Sequence, residues 1–124
     1  MTPIFIFGHS GHIFRGIEIY KSKPIIYCAG DFIDDYAVDE VERNDESFIF
    51  VLEIDTKKKM KKITIYPTLI KHFQADLACG EHAKVILSKM KNLCLSLDTT
   101  LEVTEHYGVI IIGAGNRGRF CITA

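Results

Sequence analysis

Short apolar runs broken by polar turns make up most of the chain, and only one stretch carries helical spacing. Residues 3–7 (PIFIF) predict a buried strand. Residues 14–20 (FRGIEIY) predict a second, with Ile17 and Ile19 facing one way and Glu18 and Tyr20 the other. Lys21 to Pro24 read as a hairpin turn, and residues 25–28 (IIYC) as the returning strand. Residues 47–54 (SFIFVLEI) are apolar on both faces, which suits a strand inside a layered structure. Asp55 to Lys59 form a turn, and residues 60–66 (MKKITIY) alternate and return antiparallel with Ile63 and Ile65 inward. Pro67 is expected to end that strand, because it has no N–H for the ladder. Residues 69–78 are ambiguous, a further strand around Phe73 being one reading. Ala83, Ile86, Leu87, Met90, Leu93, Cys94 and Leu97 recur at helical spacing and predict a helix over about 81–97. Glu81 stands in its first turn with Lys84, Lys89 and Lys91 behind it, the order the helix dipole favours. Two strands, Leu101–Thr104 and Val109–Ile112, follow around a turn at Tyr107-Gly108. The fold class expected is α+β: mostly antiparallel β with one helix covering a sheet face. Residues 1–113 form a single domain in this reading, and 114–124 a flexible tail.

Composition narrows the function classes. At 124 residues, 48% hydrophobic and 25% charged, the chain is globular. A net charge of −1 gives no electrostatic reason to expect nucleic acid or an anionic membrane as partner. The apolar runs are far too short for a membrane span, and residues 1–8 lack the pattern of a signal peptide. The expected location of the chain as written is therefore cytoplasmic. Cys28, Cys79, Cys94 and Cys121 are widely spaced with no CxxC pair, and read as buried reduced thiols.

The candidate chemistry begins at Gly8-His9-Ser10-Gly11-His12. An apolar run delivers two imidazoles at a glycine-rich turn, and neutral imidazole is the commonest protein metal ligand. His9 and His12 are candidate metal ligands, although two imidazoles do not complete a tetrahedral or a two-metal site. The other reading is an exposed or hydrogen-bonded pair in a turn. Residues 29–46 hold eight carboxylates, Asp31, Asp34, Asp35, Asp39, Glu40, Glu42, Asp45 and Glu46. Asp39 to Glu46 read as a solvated loop. Asp31, Asp34 and Asp35 directly follow a strand, and would supply oxygen ligands, orient the histidines, or remain solvated. Lys57, Lys58, Lys59, Lys61 and Lys62 read as a solubilising hairpin tip in preference to a polyanion contact. Gly113 to Gly118 spell GxGxxG, but too little chain follows for the helix and acidic residue of a dinucleotide site.

The run GHSGHIFRGIEIYKSKPIIYCAGDFIDDYAVDEVERNDESFIF (residues 8–50) resembles the CapA family of capsule synthesis proteins. These PgsA-like, poly-γ-glutamate synthesis proteins look like relatives of the calcineurin-like metallophosphoesterases. The family pattern is carried by Gly8, His9 and His12, by Gly16 to Tyr20, by Lys23 to Ile25, and by Gly30-Asp31-Phe32. Pro67, the Gly80-Glu81 helix start and the TTLEV run at residues 99–103 extend the likeness to about Gly113. Gly11 stands where the family usually has proline, and Arg15 where it usually has glutamine. The resemblance is to the C-terminal portion of the family, whose N-terminal portion carries an early aspartate, a GD, an NNH and another histidine motif. It implies a layered metallophosphatase-like α/β sandwich in a complete protein, with His9 and His12 at a divalent-metal centre. Asp31 is then a positioning group and Arg15 an anion contact. It implies phosphoesterase-like chemistry once the missing ligands are supplied, by an N-terminal half or a homo-oligomeric partner. The alternative is a non-catalytic interaction or remnant domain.

Overall fold

The computed structural model describes residues 3–9, 11–30, 45–71, 74–112 and 119–123. Among these residues two sheets and one helix share a core. The smaller sheet comprises β1 (Ile6–Phe7), β2 (Ile17–Tyr20) and β3 (Lys23–Ile26), in the order β1-β3-β2. β2 and β3 are an antiparallel hairpin, and β1 lies parallel to β3. Lys21 and Ser22 turn the hairpin with φ of 49° and 63°. Two left-handed residues match the right-handed twist of the flanking strands.

The larger sheet is built on β4 (Glu46–Ile54) and β5 (Met60–Lys71), which pair antiparallel with a register shift at Glu53/Ile54. After β5 come β6 (Gln74–Leu77), α1 (Gly80–Leu95), β7 (Glu102–Val103), β8 (Gly108–Ile111) and β9 (Arg119–Thr123). The strand order is β7-β8-β5-β4-β9, with β6 also paired to β5. All the pairings of this sheet are antiparallel. The mostly antiparallel α+β class read from the sequence is therefore the class observed. No helix among the described residues is long and apolar enough to cross a membrane.

The core lies on one face of the larger sheet. Register puts Phe50 beside Ile65, and Leu52 beside Ile63, which in turn neighbours Ile110. All five are buried, and Ile86, Leu87, Met90 and Cys94 of α1 join them. Ile17 and Ile26 bring the small sheet into the same cluster. Edge-on ring pairs knit the sheets, Phe7 against Phe50 at 5.7 Å and Phe14 against Phe48 at 4.9 Å. Such pairs contribute about 0.5–1.5 kcal/mol beyond their buried area.

Four expectations are corrected. The strand read over residues 3–7 is only Ile6–Phe7, and Ile6 is 49% exposed, because it points away from the core that Phe7 enters. β5 does not stop at Pro67 but runs on to Lys71. β8 pairs with residues 62–65 of β5 and β6 with residues 68–71, so Pro67 falls where one neighbour gives way to the other. Its carbonyl still accepts from Ala78 N–H at 2.9 Å. Residues 119–123, inside the stretch expected to be a tail, form β9 along β4. Cys79 is exposed, whereas Cys28 and Cys94 are buried free thiols as expected. Burial pushes the Cys94 thiol above its ordinary value, and its sulfur accepts from Ile17 N–H at 3.5 Å.

Candidate functional site

The histidine turn is tied down at both ends to one stretch of chain, residues 26–29. Gly8 N–H donates to Ile26 O at 2.7 Å, and Ala29 N–H donates to Gly8 O at 3.0 Å, continuing the parallel ladder past β1. A Cβ on Gly8 would lie 2.4 Å from Tyr27 O, so only glycine permits this approach. At the far end Phe14 bridges Ala29, and Arg15 N–H donates to Cys28 O at 3.0 Å. Midway, the Cys28 thiol donates to Gly11 O at 3.2 Å. His9 and His12 sit on this pinned segment, and both are exposed.

Among the described residues there is no group of three or more His, Cys, Asp or Glu arranged to hold a metal ion. Two imidazoles fall short of the four ligands of a structural site or the three of a catalytic one. The described residues therefore do not by themselves fit a resident metal. Asp31, with Asp34 and Asp35, lies outside the described residues. Arg15 is exposed and lines a groove of about 540 Å³ with Ile13, Phe14, Lys89, Asn92 and Leu93. The structure thus brings Arg15 to the helix, and neither histidine lines that groove.

A second polar cluster was not singled out by sequence reasoning. Glu46, expected in a solvated loop, is 1% exposed, and Asp45 beside it is also buried. Glu46 Oε2 is 2.8 Å from His82 Nε2, and Lys89 Nζ donates to Glu46 Oε1. Glu46 is the first residue of β4, while His82 and Lys89 lie seven residues apart on one side of α1. That i, i+7 spacing of a histidine and a lysine was the legible signal. Nothing local to Glu46, the last of eight carboxylates, distinguished it from the others.

With this geometry in hand, comparison with known proteins locates the family signal. Residues 4–36 match the family of bacterial capsule synthesis proteins, PGA_cap. Two proteins of Mycobacterium tuberculosis, strains CDC 1551 / Oshkosh and ATCC 25618 / H37Rv, are described as probable polyglutamine synthesis accessory proteins. Each is 58% identical to this chain over 31 residues, which is 25% of this chain. The match spans 8% of each relative's length. Over residues 4–36 the chain is similar to the CapA/PgsA-like capsule synthesis proteins. The stretch contains the histidine turn, Arg15 and the β2–β3 hairpin, the unit held together by the bonds described above.

Proposed function

We propose that this chain acts in synthesis of a capsule polymer of the polyglutamate type, as part of a CapA-like metallophosphoesterase site that it does not complete alone. The observation that carries the reading is the coincidence of the matched residues 4–36 with the pinned loop bearing His9 and His12. In this proposal His9 and His12 are two ligands of a divalent metal. Asp31 and Arg15 position an anionic substrate. The remaining ligands come from an N-terminal half or a second copy, within a metallophosphatase-like sandwich. A bound divalent ion would supply Lewis acidity and an activated water.

Calorimetric titration of the chain with Mn²⁺ and Zn²⁺ tests the ligand role. Binding is expected to be weak in the chain alone, to strengthen when a complementary half from a longer relative is added, and to be lost in His9→Ala and His12→Ala. Equal binding by the wild type and both variants would overturn it.

A second reading, a non-catalytic interaction domain, is favoured by the outer face of the small sheet. Ile6, Tyr20 and Tyr27 are each about half exposed there, beside an apolar recess of about 300 Å³ floored by Pro24 and Ile25. Exposed apolar patches of this kind mark contact surfaces. Phosphodiester hydrolysis by the metal-loaded, completed assembly would exclude this reading.

A further inference from the structure

The geometry points to the groove between residues 13–15 and the C-terminal half of α1 as a binding site for carboxylates on short aliphatic stems, a glutamyl polymer being the ligand. The choice of a glutamyl polymer rests on the capsule-synthesis reading, whereas the carboxylate chemistry rests on the groove alone. Ile13, Phe14 and Leu93 make an apolar floor, and Arg15, Lys89 and Asn92 make a polar rim. The Arg15 guanidinium and the Asn92 amide have no hydrogen bond or ion pair among the described residues. Among the described residues they are open donors on two elements that line one groove. Arg binds carboxylate through two parallel N–H bonds, which gives orientation as well as affinity. A phosphate ion would use the rim and leave the floor bare, but a carboxylate with a methylene stem uses both.

Size and rigidity support the same class of ligand. About 540 Å³ lies within the ~300–1,000 Å³ typical of organic-ligand clefts and is far larger than one small anion needs. The walls are held together before any ligand arrives. A Cβ on Gly16 would lie 2.6 Å from Leu93 O, so β2 starts directly against the helix backbone. Ile17 N–H reaches Cys94 Sγ, and Lys89 is tied to Glu46. Rim groups on different elements therefore need little ordering on binding. Among the described residues, Glu46, the carboxylate paired with Lys89, is buried and does not line the groove. The carbonyls ending α1 are also occupied: Asn92 O, Cys94 O and Leu95 O accept from Ser96, Leu97, Asp98 and Thr99 N–H, and Leu93 O from the Ser96 hydroxyl. This damps the repulsion that a helix C-terminus would exert on an anion.

The test is a titration of the ¹⁵N-labelled chain with a short glutamyl oligomer at low ionic strength, with glutarate and inorganic phosphate as comparison ligands. The oligomer is expected to move the amides of residues 13–15 and 89–96. Glutarate should move the same amides more weakly, and phosphate should leave those of Ile13 and Leu93 unmoved. Arg15→Ala is expected to raise Kd at least about tenfold, the scale of a lost charged hydrogen bond. Its side chain is exposed, and an otherwise unchanged amide spectrum would show that the fold survives. A triple change of Lys57, Lys58 and Lys59 to Ala should leave Kd within twofold. Shifts confined to that lysine tip, an Arg15→Ala variant that binds like the wild type, or equal response to phosphate would overturn the proposal. Absence of oligomer binding would also overturn it, and would leave the capsule-synthesis reading to be decided by the metal titration.

Discussion

Single positions show where this fold has no slack. Gly8 lets the chain pass against the carbonyl of Tyr27, and the atom a Cβ would strike is backbone that cannot swing aside. Gly8→Ala is therefore expected to cost about 2 kcal/mol, within the range for overpacked sites. A lower urea midpoint at unchanged m would show it, together with altered amide shifts through residues 8–15. Thr68 presents the opposite case. It is 1% exposed, and its hydroxyl has no hydrogen-bond partner among the described residues. Thr68→Val removes the unmet hydroxyl and keeps the shape, so stability should rise by about 1 kcal/mol in the same assay. The role of Gly8 is consistent with its place after an apolar run, since a glycine there already suggests a close approach. That Thr68 is buried was not legible, because Pro67 suggested that the strand had already ended.

Among the elements, the β4–β5 hairpin shows how a polar turn sets a strand register. Asp55 Oδ1 accepts from Lys57 N–H and Lys59 N–H, both at 2.8 Å, and closes the turn. The Lys59 N–H above all holds the Asp55 carboxyl below its ordinary value; desolvation opposes it, and the Lys57 N–H and the Lys61 ammonium add to the lowering. An acid lowered in this way stabilises the fold above its unfolded value near pH 4. On acidification the unfolded chain takes up that proton first, and the contribution disappears as pH drops through the lowered folded value. Denaturant midpoints should thus fall below about pH 4. The fall should be smaller in Asp55→Asn, whose side chain carries no charge to titrate. This hairpin and α1 were the most legible elements. Alternation at 60–66 and the heptad-like recurrence from Ala83 to Cys94 each follow from burying one face. β9 and β6 were less legible, because both are short strands that borrow their ladders from β4 and β5.

For the whole molecule, the decisive contact is the one that fastens the helix to the sheet. Glu46 is buried at the start of β4 and meets His82 and Lys89 of α1, residues far along the chain. Both partners keep part of their side chains in contact with solvent, 32% for His82 and 40% for Lys89. Removing the carboxylate leaves its cavity unfilled and takes the charged partner from Lys89 and His82, so Glu46→Ala should cost about 2–4 kcal/mol. A smaller loss than Gly8→Ala in the same denaturation series would argue that the cluster is dispensable to the fold. By itself, the sequence determined the class of fold, the main hairpins, the helix and its apolar face, and the histidine turn with its capsule-synthesis likeness. Those features are written in local periodicity and in residues close together in the chain. Only the tertiary structure decided that Asp45 and Glu46, the end of a run read as solvated, are buried. It alone set Arg15 in one groove with Lys89 and Asn92 of the helix. The physical reason is that burial and charge pairing depend on which distant elements pack together, and no short window of sequence carries that information.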